Sequence, residues 1–192
     1  MSQNKRIFLF LKNNMDSYNQ VFQSQQNIYN ALINNLKGKT KSQIKTLGQI
    51  ILPKVALYKA FIENNFSKEI SLEYIQKYMF EVGKKTNKLY KILEYLPFAE
   101  KLFLNVVKNQ MTTKDNWRTE IITVEPNKIE INILKCLWYD ACFENNCLEL
   151  CKCFCDVDNI IYKDMKKIIF ERTGTLFYGN KCCDFTFKRR ME

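Results

Sequence analysis

The residues in this chain best equipped for chemistry are eight cysteines and the aspartates that accompany them; histidine is absent. Without an imidazole there is no Ser-His-Asp triad, no Cys-His pair and no His-ligated zinc or iron. Any general base must then be a carboxylate, a thiolate, a lysine, a tyrosine or the substrate itself. All eight cysteines lie between Cys136 and Cys183, and three uses compete for them. Cys147, Cys151 and Cys155, spaced i, i+4 and i+8, read as one helix face that could offer thiolates to a metal, with Cys182 and Cys183 elsewhere. No C-x2-C knuckle is present, however, and successive thiolates along a helix stand about 6 Å apart, so no metal site is expected. Cysteine also packs as a small hydrophobe, which suits Cys142, Cys147, Cys151 and Cys153. The third use is nucleophilic, and it requires a thiol with a lowered pKa and a partner. Cys155, expected at a helix end beside Asp156 and Asp158, and Cys183, expected on a strand beside Asp184, are the two candidates. Spacing alone does not choose between them.

The elements that must position these groups change type along the chain. Residues 16–110 read as helices. Val21, Ile28, Leu32 and Leu36 recur at helical spacing, with Gly38 as a stop. Ile44, Leu47, Ile51, Val55, Tyr58 and Ile62 form a second stripe, which Pro53 is expected to kink or break. Ser71 is expected to cap a third helix ending near Gly83, Thr86 to begin a fourth that stops before Pro97, and a fifth to run to about Lys108. After Met111 the pattern shifts. Thr119–Val124 is β-branched, 125–128 is a turn, and Ile129, Ile131 and Ile133 alternate with polar residues, which predicts a hairpin. Trp138–Asp156 is expected to be helical and Asp158-Asn159 to break it. Ile168–Phe177 and Cys183–Lys188 flank Tyr178-Gly179-Asn180 as a second hairpin, in which Arg172 and Gly174 would face one side and Thr173 and Thr175 the other. The expected class is α+β: an N-terminal helical segment, 1–110, followed by an antiparallel sheet with a packed helix, 111–192, with 110–116 as the one plausible boundary.

Length and charge narrow the function. A chain of 192 residues with 46% hydrophobic content can build a core without disulfide staples. The net charge of +10 sits in the helical part: residues 1–110 hold 17 basic against 7 acidic side chains, and 111–192 hold 13 of each. Lysine exceeds arginine by 25 to 5, the composition of an AT-rich genome. Dispersed lysine without arginine clusters argues against nucleic-acid recognition. The N-terminus lacks a long apolar region with a small-residue cleavage site, and no apolar run approaches the roughly 20 residues of a membrane span. A cytoplasmic location with reduced thiols is therefore expected.

The string Lys135-Cys-Leu-Trp-Tyr-Asp-Ala-Cys142, then Cys155-Asp-Val-Asp158, then Arg172-Thr-Gly-Thr-Leu176 with Gly179 and Cys183-Asp-Phe185, resembles the L-2-amino-thiazoline-4-carboxylic acid hydrolase family. The resemblance covers roughly 117–190. It implies a hydrolase, bacterial and of specialised metabolism, that opens a small cyclic amidine or thioimidate without a cofactor. In such a reaction a group activates water or attacks C2, an acid protonates the departing sulfur, and a cation holds the ring carboxylate. By resemblance the catalytic set is Cys155, Asp158, Cys183 and Asp184, and the substrate-binding set is Cys136, Tyr139, Arg172, Thr173 and Thr175. For Arg172 the alternatives are a fork for the substrate's carboxylate and an ion pair with an acidic side chain. A related cysteine-dependent cyclase or acyl transferase is a close variant. The expected partner is a small-molecule substrate, with no nucleic acid and no membrane, and a homo-oligomer is left open. The competing class is a non-catalytic ligand-binding or metal- and redox-sensing domain.

Overall fold

The computed structural model describes residues 3–112 and 115–191. Residues 113 and 114, inside the stretch expected as a boundary, lie outside the described residues. The chain groups into two compact units. One comprises 1–79 with 141–153, and the other 80–140 with 154–192.

The first unit is helical. Helices α1 (Gln3–Asn14), α2 (Tyr18–Asn34), α3 (Lys41–Thr46) and α4 (Leu52–Glu63) are joined by the start of α5 (Lys68–Leu93). Thr40 begins α3 with a capping box, its hydroxyl accepting from the Gln43 N–H while the Gln43 side chain accepts from the Thr40 N–H. Between α3 and α4 the backbone widens into a π-turn, Leu47–Ile51, in which the Leu52 N–H bonds back to the Leu47 carbonyl. Pro53 follows at the start of α4. It has no N–H to give, so the expected kink takes the form of a bulge just upstream, where a wider turn reassigns the bonds. Helix α4 is buried nearly all round, Leu52 through Tyr58 and then Ala60 and Phe61, as befits the centre of a bundle.

Helix α5 corrects the expectation of two helices. Its N-terminus is held by Ser67, whose hydroxyl accepts from the Ile70 N–H, and Ser71 lies inside the first turn with its hydroxyl on the Ser67 carbonyl. The helix then passes through Gly83 and Thr86 without a break. Gly83 is there for contact. A Cβ at that position would stand 2.8 Å from Cγ2 of Val157 and 3.3 Å from Cγ2 of Ile160. Gly83→Ala is therefore expected to destabilise by about 1–3 kcal/mol in a denaturant titration, although alanine is worth about 1 kcal/mol more than glycine in an open helix. A gain in stability would refute the close packing.

The second unit joins the rest of α5 and α6 (Ala99–Met111) to a four-stranded antiparallel sheet. Strands β1 (Trp117–Glu125), β2 (Lys128–Cys136), β3 (Ile168–Glu171) and β4 (Cys183–Arg189) run in the order β1-β2-β4-β3. The predicted hairpin is β1-β2, and β4 pairs β2 with Ile133 opposite Cys183 and Ile131 opposite Phe185. Strict alternation buries Ile129, Ile131 and Ile133 from β2 and Cys183, Phe185 and Phe187 from β4 on one face. Leu104, Val107 and Met111 of α6 cover that face. Phe187, fully buried, lies against Phe103, Tyr162 and Phe170.

Two further expectations change in the cysteine-rich stretch. Helix α7 (Leu137–Glu144) closes in a Schellman turn, with Asn146 at φ 53°, its N–H on the Phe143 carbonyl and the Cys147 N–H on the Cys142 carbonyl. Cys147 thus lies outside the helix of Cys151 and Cys155, so the i, i+4, i+8 row does not form. Helix α8 (Cys151–Ile161) runs straight through Asp158-Asn159. It ends where the Asn87 amide donates to the carbonyls of Ile161 and Lys163, 2.8 Å each. Cys155 is consequently mid-helix, and Asp158 one turn on projects from the same side.

Candidate active site

All nine residues named from the sequence belong to the second unit. The expected long strand 168–177 ends at Glu171, because 172–175 turns away from the sheet and 176–178 forms a single 3-10 turn. On a flat strand Arg172 and the threonines would point to opposite faces; on the bent segment each finds a separate partner.

Arg172 reaches α8. Its Nη1–H donates to the Cys155 carbonyl at 2.9 Å and to Asp158 Oδ2 at 3.1 Å, with the guanidinium 5.7 Å from the centre of the Phe185 ring. The side chain is only 7% exposed. Of the two roles open to Arg172, the ion pair is the one formed. Burial pushes the Asp158 carboxyl up to about 7, Arg172 pulls it down by a smaller amount, and Asp156 adds a further upward push. A carboxyl in this state exchanges its proton near neutrality. Tyr162, just past the end of α8, is pushed well above the ordinary tyrosine range by burial and by the Asp158 charge.

Asp184 behaves in the opposite way. Its oxygens accept from the Thr173 N–H at 3.0 and 3.1 Å, the Thr173 hydroxyl at 2.6 Å and the Gly174 N–H at 2.6 Å. Burial pushes it up, but the bonds from Thr173 and Gly174 outweigh that and hold it below the ordinary carboxylate range. An anion satisfied in this way anchors the turn. Thr175 caps the 3-10 turn by accepting from the Tyr178 N–H, while its own N–H bonds to the Asn180 side chain. Gly174 is required here, since a Cβ would lie 2.6 Å from the Asn180 side chain. Gly179 supplies the φ of 83° that ends the turn.

The cysteines separate by environment. Cys155 is half-buried on α8. Cys183 is buried on the inner face of β4, its sulfur accepting the Leu176 N–H at 3.3 Å. Cys136 closes β2, half-buried against the sheet core. Tyr139 sits half-buried in the first turn of α7, beside Trp138, which stacks on Trp117 at 5.1 Å. The structure therefore links Cys155, Asp158 and Arg172 in one set and Thr173 and Asp184 in another, with the 172–176 segment joining them.

Sequence reasoning gave Asn180 only as a turn residue and Asp156 only as a neighbour of Cys155; Asp156 accepts from the Tyr178 hydroxyl at 3.3 Å. Sequence reasoning missed Lys54 in the first unit, a buried amine on the Ile50 carbonyl that burial, and then Arg6, lower to about 7. A lysine inside an apolar helical stripe gives no signal of burial. A depression of about 430 Å³ in that unit, bordered by Arg6, Tyr29 and Gln49, contains none of the nine. In the same unit Cys142, Cys147 and Cys151 lie together; bonding to both neighbours raises the Cys142 thiol, and accepting from Cys142 lowers that of Cys147 against the effect of burial. Among the described residues no group of three or more cysteine or acidic side chains is arranged to hold a metal ion.

The family model of L-2-amino-thiazoline-4-carboxylic acid hydrolase matches residues 43–187. The chain belongs to that family. The match spans α3 through β4 and takes in every residue of the Arg172 and Asp184 sets. It reaches much further into the helical half than the 117–190 covered by the motifs. Within it, the motifs at 155–158 and 172–184 are tied by the bonds of Arg172 to α8 and of Asp184 to the 173–174 backbone. No curated protein matches the chain. The family name makes it a hydrolase of the thiazoline-carboxylate type acting on a small molecule. No described helix is long and apolar enough to cross a membrane.

Proposed function

We propose that this thiazoline-hydrolase family member opens a small cyclic amidine or thioimidate, with Cys155 attacking and Asp158 handling the proton. The Cys155 thiolate adds to C2 of the ring, the C2–S bond breaks, and the leaving sulfur takes its proton from Asp158. Water, its proton accepted by the Asp158 carboxylate just formed, then attacks the same carbon and expels Cys155, so the net change is addition of one water. Arg172 acts through Asp158, which it holds in place, and Thr173, Thr175 and Asp184 shape the turn that carries Arg172. The chemistry requires reduced thiols, as the cytoplasm supplies.

The observation that carries this reading is the Asp158 carboxyl, held by a buried arginine and titrating near 7, one turn from a half-buried thiol. Cys183 is the weaker candidate because its sulfur is buried and already accepts a backbone N–H. Limiting iodoacetamide followed by peptide mapping is expected to label Cys155 ahead of Cys183. Incubation with 2-amino-thiazoline-4-carboxylate is expected to release thiol in wild type and Cys183→Ser, and not in Cys155→Ala. Full turnover in Cys155→Ala would remove Cys155 from the mechanism.

A further inference from the structure

We propose that the second unit carries a peripheral binding surface for anionic lipid, formed by the end of α5, the turn 94–98 and the outer face of α6. Leu89, Ile92, Leu93, Tyr95, Leu96, Phe98, Leu102 and Val106 are all exposed, with Phe98 at 78% and Tyr95 at 75%. So many large apolar side chains on one stretch of about 20 residues exceed the scattered singles of an ordinary surface. At the tip, Phe98 adopts φ 56°, a left-handed conformation that is strained for a bulky residue, and it provides no side-chain cap for α6. A strained turn that holds a ring out into solvent does nothing for the core.

Charge selects the occupant. Lys84, Lys85, Lys88 and Lys101 are exposed along the same stretch. Its two carboxylates are occupied elsewhere. Glu94 is buried and accepts the backbone N–H groups of Lys166 and Lys167. Glu100, 17% exposed, pairs with Lys167 and Arg189. Lys166 adds a further exposed cation, standing over the Tyr95 ring at 5.5 Å. Asp164 is the exposed acid of the neighbouring 163–167 loop. An exposed apolar stretch that also carries exposed lysines matches an anionic bilayer face, where rings and aliphatic chains enter the interface and ammonium groups meet phosphates. A second copy in a two-fold arrangement would set the same lysines against themselves. The contact is peripheral and departs from the expectation of no membrane partner.

The test is co-sedimentation of the full chain with phosphatidylcholine vesicles, with and without phosphatidylglycerol. Binding is expected only with the anionic lipid and is expected to fall as salt is raised. Lys84→Gln with Lys85→Gln and Lys88→Gln should weaken it about a hundredfold, each lysine near such a surface being worth about fivefold. Phe98→Asn with Leu102→Gln should weaken it by about tenfold or more. Asparagine tolerates the left-handed backbone, so this variant should keep the wild-type circular dichroism and melting point. No binding to anionic vesicles, or binding by both variants as tight as that of the wild type, would overturn the proposal. So would a dimer in light scattering that only the Phe98→Asn, Leu102→Gln variant converts to monomer.

Discussion

Asp158→Asn is expected to lower turnover of a 2-amino-thiazoline-4-carboxylate substrate by about 10²–10⁴-fold, the usual worth of a positioned proton-transfer group. Asparagine keeps the shape and can still accept from Arg172, so folding should survive and the loss should fall on kcat. The pH profile supplies the sharper check. Asp158 titrates near 7 in the folded protein, and protonating the departing sulfur requires its acid form. Wild-type kcat is therefore expected to decline as pH rises through about 7, and the residual activity of the variant to lack that limb. An unchanged limb in the variant would assign it to another group. The same shift acts on stability with a definite sign. The folded carboxyl binds its proton more tightly than the ordinary value of 3.8, so its contribution is complete below that pH. It is lost as pH rises from about 4 to about 7, with a slope of at most about 1.4 kcal/mol per unit. Asp158→Asn should flatten that part of the curve of melting temperature against pH.

Arg172→Leu is the second large effect, expected at about 1–3 kcal/mol of lost stability, because it removes one partner of a half-buried ion pair and leaves the other without its charged hydrogen bond. It also deletes the bond to the Cys155 carbonyl, so α8 loses its tie to the 172–175 turn. The cost should be greater at pH 8 than at pH 5, where Asp158 can meet the loss by holding its proton. Combining Arg172→Leu with Asp158→Asn should recover part of the loss at pH 8, since no buried charge then remains. Equal losses in the single and double variants at pH 8 would show that Arg172 stabilises by packing over Phe185 alone.

The parts of this molecule that were legible beforehand are those governed by short-range pattern. The β1-β2 hairpin followed from alternation of Ile129, Ile131 and Ile133 with polar neighbours, a period that only a half-buried strand explains. The helical half followed from stripes at 3.6-residue spacing. The misread points share one cause, a polar or flexible residue interpreted as punctuation when a distant partner accounts for it. Gly83 was taken for a helix end and is the contact point for Val157 and Ile160. Asp158-Asn159 was taken for a break, yet Asp158 is a mid-helix carboxylate paired with Arg172. Ser71 was taken for a cap, but Ser67, one turn earlier, performs that role.

Composition and local spacing determined that this is an α+β chain without histidine whose eight cysteines all lie in its neutral C-terminal half. The family resemblance marked Arg172, Thr173, Asp158 and Asp184 as residues to watch. Only the tertiary structure decided how those residues divide. Asp158 and Asp184 are the same side chain with the same ordinary acidity. One lies half-buried against a single buried arginine and is pushed up to about 7; the other accepts two backbone N–H groups and a hydroxyl and is held down. That difference comes from desolvation and hydrogen bonding across segments 10 to 14 residues apart along the chain, which no local pattern encodes.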